Sequence, residues 1–129
     1  MGTSDNNSFD VLLIDDEPEL LLMLGELLRA EGYRVIVARD AGHALRQLDE
    51  NKVSLIVLDI NLAGENGLEL MTFVNRNHPD APVILYTGMD SGADDVKDML
   101  KLGAACYVSK AQGPKALIFS IQQLLPKKP

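Results

Sequence analysis

The stretch Val-Leu-Leu-Ile-Asp-Asp-Glu-Pro at residues 11–18 joins four consecutive apolar residues to a pair of aspartates and a proline. A short apolar run of branched side chains is typical of a β-strand that is buried on both faces. Proline is favoured in the first turn of a helix, where its missing N–H costs nothing. The stretch therefore predicts a buried strand, a polar loop carrying Asp15 and Asp16, and a helix that begins at Pro18.

The same kind of strand recurs along the chain, with helical patterns between the strands. Four further apolar runs have the length and composition of buried strands, at residues 34–38, 54–58, 83–86 and 106–109. Strands that alternate with helices predict an α/β fold, with a parallel sheet covered by helices on both faces. The commonest order of five such strands is 2-1-3-4-5, which is the flavodoxin-like, doubly wound (βα)5 arrangement.

In that order, polar residues that follow four of the strands meet at one edge of the sheet. Asp15, Asp16 and Asp59 face one another across the first and third strands, with Thr87 beside them and Lys110 one strand further out. Crowded carboxylates raise one another's pKa unless a cation shares the site. Mg²⁺ prefers oxygen ligands, so we expect a Mg²⁺ site, with Mn²⁺ as a second possibility. The alternative is an acidic cluster at a solvated sheet edge.

The Thr87 hydroxyl and the Lys110 ammonium complete the expected chemistry. Groups of these types bind the oxygens of a transferring phosphoryl group, and an aspartate can itself be the nucleophile that forms an acyl phosphate. Taken singly, Thr87 fits a strand-end cap and Lys110 a surface ion pair. Their joint placement beside the carboxylates favours phosphoryl transfer.

Composition excludes several classes of protein. The chain has 129 residues, of which 47% are hydrophobic, so it suits one domain with a substantial core. A formal net charge of −7 argues against direct binding of nucleic acid, which needs clustered Lys and Arg. The single cysteine, Cys106, fits a reducing compartment. No apolar run is long enough to span a bilayer and no signal peptide pattern is present, so we expect a cytoplasmic protein without membrane contact.

Four motifs in this order resemble the receiver domain of two-component response regulators, the phosphoacceptor module of those systems. They are Leu-Ile-Asp-Asp-Glu-Pro at 13–18, Val-Leu-Asp-Ile-Asn-Leu at 57–62 followed by Asn-Gly-Leu-Glu-Leu at 66–70, Leu-Tyr-Thr-Gly at 85–88 and Tyr-Val-Ser-Lys at 107–110. The resemblance covers residues 9–125. We expect residues 1–8 to form a disordered tail, and residues 126–129 a tail or the start of a linker.

The resemblance implies a role for each matching residue. Asp59 would accept a phosphoryl group from a phosphohistidine of a sensor histidine kinase or a histidine phosphotransfer protein. Asp16 and Asp59 would ligate Mg²⁺ directly, Asp15 through water, and Asn61 through its backbone carbonyl. The protein would be a signalling module that catalyses its own phosphorylation and dephosphorylation, and no turnover enzyme in the ordinary sense.

The remaining implied roles concern the response to phosphorylation. Lys110 would contact the phosphoryl oxygens, and Thr87 would hydrogen-bond the phosphoryl group and draw its loop inward. Tyr107 would be the switch aromatic that changes rotamer with Thr87. Signal output would use the face formed by the fourth helix, the fifth strand and the fifth helix.

Two apolar side chains fall outside the predicted core and suggest partner surfaces. Leu22 lies opposite the apolar stripe of the first helix, where receivers dock a kinase helix. Phe119 lies about 160° from the centre of the last helix's stripe, by the 3.6-residue period. We assign it to the output face, as a contact for a homodimer or an output domain. Simple exposure is the alternative for both residues.

Two rival functions stay open at this point. The family commonly has proline after the position of Lys110, joined by a cis peptide, but Ala111 follows here. A cis bond to alanine costs about 2.5–4 kcal/mol, so the loop favours a trans peptide and a different shape. A degenerate receiver that only binds partners is therefore one rival. The other is a haloacid-dehalogenase-like phosphatase, although Asn61 stands where those enzymes carry a second Asp and the acidic pair here precedes the nucleophile.

Overall fold

Five parallel strands form the central sheet of the computed structural model, which describes residues 7–62, 65–88 and 93–126. The order across the sheet is β2-β1-β3-β4-β5, which confirms the predicted topology. The strands are β1 (Ser8–Ile14), β2 (Val35–Ala38), β3 (Lys52–Leu58), β4 (Val83–Thr87) and β5 (Cys106–Ser109).

Helices cover both faces of the sheet. They are α1 (Pro18–Ala30), α2 (Ala41–Glu50), α3 (Gly67–Asn77), α4 (Ala93–Lys101) and α5 (Pro114–Leu124). One face packs against α1 and α5, through the buried side chains of Leu21, Leu24, Leu28, Leu117 and Ile121. The other packs against α2, α3 and α4, through Ala44, Leu48, Leu70, Met71, Val74 and Met99. Successive side chains of a strand point to opposite faces, so each strand contributes to both clusters.

The register of the sheet brings the carboxyl ends of the strands level. Ile14 of β1 pairs with Leu58 of β3, and Leu58 pairs in turn with Leu85 of β4. Thr87, the last residue of β4, pairs with Ser109, the last residue of β5. The residues that follow these ends therefore lie at one edge of the sheet, as a parallel arrangement requires.

Two features of the fold differ from the sequence prediction. Asn61–Leu62 and Glu65–Asn66 form a short antiparallel hairpin after β3, because strands of two residues carry no detectable periodicity. Ser8 is already part of β1, where it pairs with Lys52, so the sheet begins one residue inside the predicted tail. Residues 1–6 and 127–129, which hold the rest of both predicted tails, lie outside the described residues.

The start of α3 requires a glycine. The Gly67 amide donates a hydrogen bond of 3.0 Å to the carbonyl oxygen of Ile60, one residue past Asp59. A Cβ atom at this position would lie only 2.9 Å from that same carbonyl oxygen. Glycine thus allows α3 to approach the loop that carries Asp59.

Candidate functional site

Asp15 and Asp59 are buried carboxylates at adjacent strand ends. Only 4% of Asp15 and 5% of Asp59 is exposed. Their backbones continue the sheet, because the Asp15 amide donates to the Ala38 carbonyl at 3.1 Å and the Asp59 amide donates to the Ile14 carbonyl at 3.0 Å. The ladder of the sheet therefore fixes the positions from which both side chains project.

Lys110 lies between these two carboxylates. Its Nζ atom is 2.9 Å from Oδ2 of Asp15 and 3.0 Å from Oδ2 of Asp59. Oε2 of Glu17 lies 3.5 Å from the same ammonium. Burial of Lys110 opposes its charged form, but the hydrogen bonds to Asp15 and Asp59 outweigh that effect and raise its pKa above the ordinary 10.5. The site therefore holds a permanent cation at neutral pH.

The second oxygen of Asp59 is held by two donors. Thr87 Oγ1 donates to Oδ1 of Asp59 at 2.9 Å, and the Asn61 backbone amide donates to the same oxygen at 3.2 Å. Thr87 is fully buried. With Lys110 on Oδ2, both oxygens of Asp59 have fixed partners, so the carboxylate is held in one orientation.

Three carboxylates of the site are close enough to share a metal ion. Ligand oxygens of Asp15, Asp16 and Asp59 lie within 4.8 Å of one another. One lysine faces this set, so the cluster keeps a negative charge that a divalent cation can neutralise. Burial raises the pKa of the Asp15 carboxyl, while its hydrogen bonds from Lys110 and the Glu17 amide oppose that rise. The donor set consists of hard oxygens, which fits Mg²⁺.

The loop after β5 is regular although proline is absent. None of the described peptide bonds is cis, so the Lys110–Ala111 peptide is trans. A 3₁₀ turn spans Lys110–Gln112, and Ser109 caps it by accepting a hydrogen bond of 3.2 Å from the Ala111 amide. The Gln112 side chain reaches back to accept a bond of 3.0 Å from the Ser109 amide. Lys110 thus reaches both carboxylates from a trans backbone.

The other predicted residues lie outside this cluster. Tyr107 is 38% exposed on β5, and Leu22 is 64% exposed on α1. Phe119 is 62% exposed, as its helical position predicts. It lines a groove of about 700 Å³ that it shares with Leu27 of α1, and its assignment to the output face stays a prediction. The helical period shows that a residue points outward, but it does not show towards which neighbouring element.

Sequence reasoning missed three residues around Lys110. Ser109 and Gln112 form the Ser-x-x-Gln pattern of a helix capping box, a signal that was present in the sequence. Glu17 follows the acidic pair, but only the structure shows its contact with the Lys110 ammonium.

Membrane insertion through a helix finds no support in the part of the chain that the structure describes. None of the helices there combines the length and apolar character that crossing a bilayer requires.

Comparisons with known proteins agree with this geometry. A family model described as the response regulator receiver domain matches residues 11–122. The nitrogen assimilation regulatory protein NtrX of Azorhizobium caulinodans is 33% identical over 118 residues, which are 90% of this chain and 26% of that protein. The transcriptional regulatory protein CpxR of Escherichia coli strain K12 is 37% identical over 115 residues, which are 89% of this chain and 48% of that protein.

A solved structure extends the comparison to three dimensions. The response regulator TrrA of Thermotoga maritima, crystallised in complex with Mg²⁺-BeF, superimposes with a TM-score of 0.78 and 30% identity, covering 91% of this chain and 99% of that one. The chain therefore matches TrrA over nearly its whole length, but spans only about a quarter of NtrX and half of CpxR.

Proposed function

The chain belongs to the response regulator receiver domain family, and on this premise we propose that Asp59 accepts a phosphoryl group from a phosphohistidine. The donor is a sensor histidine kinase or a histidine phosphotransfer protein. One observation carries the assignment of Asp59. It is the carboxylate on which the Thr87 hydroxyl and the Lys110 ammonium converge, at 2.9 Å and 3.0 Å.

Each residue of the site has its own role in phosphoryl transfer. An Asp59 oxygen attacks phosphorus, the bond between phosphorus and the histidine nitrogen breaks, and the nitrogen keeps the electron pair. Lys110 and Thr87 already contact the attacking carboxylate, so both are placed to bind the phosphoryl oxygens as negative charge moves onto them. Mg²⁺ would be held by Asp16 and Asp59, by Asp15 through water and by the Asn61 carbonyl, and would supply positive charge to those oxygens.

The same contacts provide a switch. In the unphosphorylated state Thr87 donates to Oδ1 of Asp59. A phosphoryl group adds about −1.5 to −2 charge and three strong acceptors, so the hydroxyl changes partner and draws the end of β4 towards Asp59. Tyr107, which is 38% exposed, then turns inward beside β4, to which β5 is paired. The face formed by α4, β5 and α5 carries this change to an output domain or to a second copy of the chain.

This chemistry is self-modification, because the group that reacts is a side chain of the protein. Hydrolysis of the acyl phosphate restores Asp59 and ends the signal. No contact within the described residues favours a phosphatase acting on other substrates. The phosphatase alternative would instead require turnover of a free phosphate monoester.

Labelling with a small donor tests the proposal. The protein is incubated with Mg²⁺ and acetyl phosphate, and its intact mass is measured. We expect the mass to rise by one phosphoryl group. If the mass stays unchanged under conditions that label a known receiver, the chain is a phosphorylation-independent binding module.

Metal binding is expected to stabilise the fold. A ligand that binds only the native state at tenfold excess over its Kd raises the free energy of unfolding by about 1.4 kcal/mol. Asp16→Asn removes one carboxylate from the cluster and is expected to abolish most of this gain. Thermal melts with Mg²⁺ and with EDTA measure the effect, and Asp80→Asn, at an exposed site, is the matched control. An equal Mg²⁺ shift in Asp16→Asn and wild type would contradict the metal assignment.

Leu22 is proposed to contact the kinase. Its side chain is 64% exposed on α1, a helix that begins two residues after Asp16. Leu22→Ala is expected to slow transfer from a phosphorylated histidine kinase and to leave labelling by acetyl phosphate unchanged, because a small donor needs no docking surface. Leu45→Ala, which removes a 37% exposed leucine from α2, is the control. A transfer rate equal to that of wild type would remove Leu22 from the interface.

A further inference from the structure

The Lys110 ammonium contacts carboxylates that follow two other strands, β1 and β3. Lys110 follows β5 at one edge of the sheet, whereas Asp15 follows β1, three positions away in the order β2-β1-β3-β4-β5. A lysine stem is flexible and loses considerable rotamer freedom when its ammonium is fixed. A backbone that is held in place at Lys110 therefore favours the contacts at 2.9 Å and 3.0 Å with the two carboxylates.

Three hydrogen bonds and the pairing of β5 with β4 hold that backbone. On its N-terminal side, Ser109 is held by the Gln112 side chain, which accepts from the Ser109 amide at 3.0 Å. On its C-terminal side, the Ala111 amide donates to Ser109 Oγ at 3.2 Å, and the Gly113 amide donates to the Lys110 carbonyl at 3.1 Å. In the sheet, Ser109 of β5 pairs with Thr87 of β4. The Lys110–Ala111 peptide is thereby held by two of these bonds, and the preceding residue, Ser109, is held beside the strand that carries Thr87.

The Gln112 side chain makes no visible contribution to the core. Gln112 is exposed, and its amide forms a local bond within the turn. The neighbouring α5 is anchored independently, by Leu117 and Ile121, which are fully buried. The bond from Ser109 to Gln112 therefore sets the shape of the turn, while the packing of α5 depends on other residues.

We propose that Ser109 and Gln112 are positioning residues that orient the Lys110 side chain towards Asp59. The capping box supplies through two hydrogen bonds the restraint that a proline ring supplies covalently. This inference rests on the proposed role of Lys110 as a ligand of the phosphoryl group. Binding of a phosphoryl mimic should then depend on Gln112, whereas binding of Mg²⁺ alone should not, because the carboxylates hold the metal.

Beryllofluoride, an inorganic phosphoryl mimic, separates these two effects. Its affinity at saturating Mg²⁺ is measured by ¹⁹F NMR titration, and the affinity for Mg²⁺ alone is measured by calorimetry. Loss of one hydrogen bond corresponds to a fall in beryllofluoride affinity of about threefold to tenfold for Gln112→Ala. Mg²⁺ affinity is expected to stay at the wild-type value, and the melting temperature to fall by only a few degrees, because one exposed hydrogen bond contributes about 1 kcal/mol to stability.

Conservative variants distinguish aiming from a general loss of stability. Gln112→Glu keeps an oxygen that accepts from the Ser109 amide and is expected to restore beryllofluoride affinity, while Gln112→Asn is too short and should behave like Gln112→Ala. Gln123→Ala, at an exposed position of α5, is the control. Unchanged beryllofluoride affinity in Gln112→Ala, a parallel loss of Mg²⁺ affinity, or failure of Gln112→Glu to rescue would each overturn the positioning role. Failure of the wild type to bind beryllofluoride would overturn the proposed function and this inference with it.

Discussion

Asp59→Asn is expected to abolish phosphorylation by acetyl phosphate and to leave the protein folded. The amide that replaces the carboxylate is a poor nucleophile, so no acyl phosphate forms. Asparagine keeps the shape of the side chain and an oxygen that can accept from Thr87 Oγ1 and the Asn61 amide, which contact Oδ1 of Asp59 at 2.9 Å and 3.2 Å. Intact mass after incubation with Mg²⁺ and acetyl phosphate measures the loss, and circular dichroism confirms the fold.

The control must be an aspartate with the same charge and no role in the site. Asp49 and Asp80 are exposed and line a different cavity, which also contains the start of β1. Asp49→Asn and Asp80→Asn are therefore expected to be labelled as fully as wild type. A phosphoryl mass on Asp59→Asn would place the acceptor at another residue, and peptide mapping would then identify it.

The sequence predicted which side chains meet at the carboxyl ends of the strands, because their positions follow from the sheet topology. Once β1 and β3 are neighbours, Asp15 and Asp59 must approach each other, since both directly follow paired strand ends, Ile14 and Leu58. The same reasoning placed Thr87 beside them. This part of the site depends on the sheet ladder alone, which leaves the backbone few alternatives.

Features that depend on side-chain direction could not be predicted in the same way. The exposed position of Phe119 was predicted, but the helical period did not indicate that it lines a groove with Leu27 of α1. The direction of the Lys110 side chain depends on hydrogen bonds within a three-residue turn. Hydrophobic periodicity gives no information about such bonds. The sequence of that turn lacks proline, and the Ser-x-x-Gln pattern that compensates lies in polar residues outside the core.

Lys110→Ala is expected to destabilise the metal-free protein substantially at neutral pH. The substitution leaves the Asp15 and Asp59 carboxylates, 4% and 5% exposed, without the cation that separates them. Removing one partner of a fully buried ion pair costs about 3–5 kcal/mol, and an exposed pair contributes at most about 1 kcal/mol. The Lys110 side chain is 21% exposed, so water screens the pair in part. We expect a loss of about 2 kcal/mol in the free energy of unfolding.

Added Mg²⁺ and a lower pH should each reduce the loss of stability in Lys110→Ala, for electrostatic reasons. The folded-state pKa of Lys110 is raised, so its stabilising contribution is fully present at neutral pH and disappears only when the pH rises through that pKa. Burial raises the pKa of Asp15, and removal of Lys110 raises it further, so a lower pH protonates the carboxyl and narrows the difference between variant and wild type. Mg²⁺ supplies a replacement cation, so its stabilising effect should be larger in Lys110→Ala than in wild type.

Urea denaturation at pH 7 and at about pH 4, each with EDTA and with Mg²⁺, measures the loss of stability, its pH dependence and its Mg²⁺ dependence. The lower pH lies near the reference carboxyl pKa values. Lys52→Ala removes an exposed lysine from the start of β3, at the opposite end of the strand from Asp59, and serves as the matched control. An Mg²⁺ gain in Lys110→Ala no larger than that of wild type would show that the ammonium and the metal do not share the charge of Asp15 and Asp59. The geometry argues for sharing, because the metal-ligand oxygens of these residues lie within 4.8 Å of one another and Lys110 contacts both side chains.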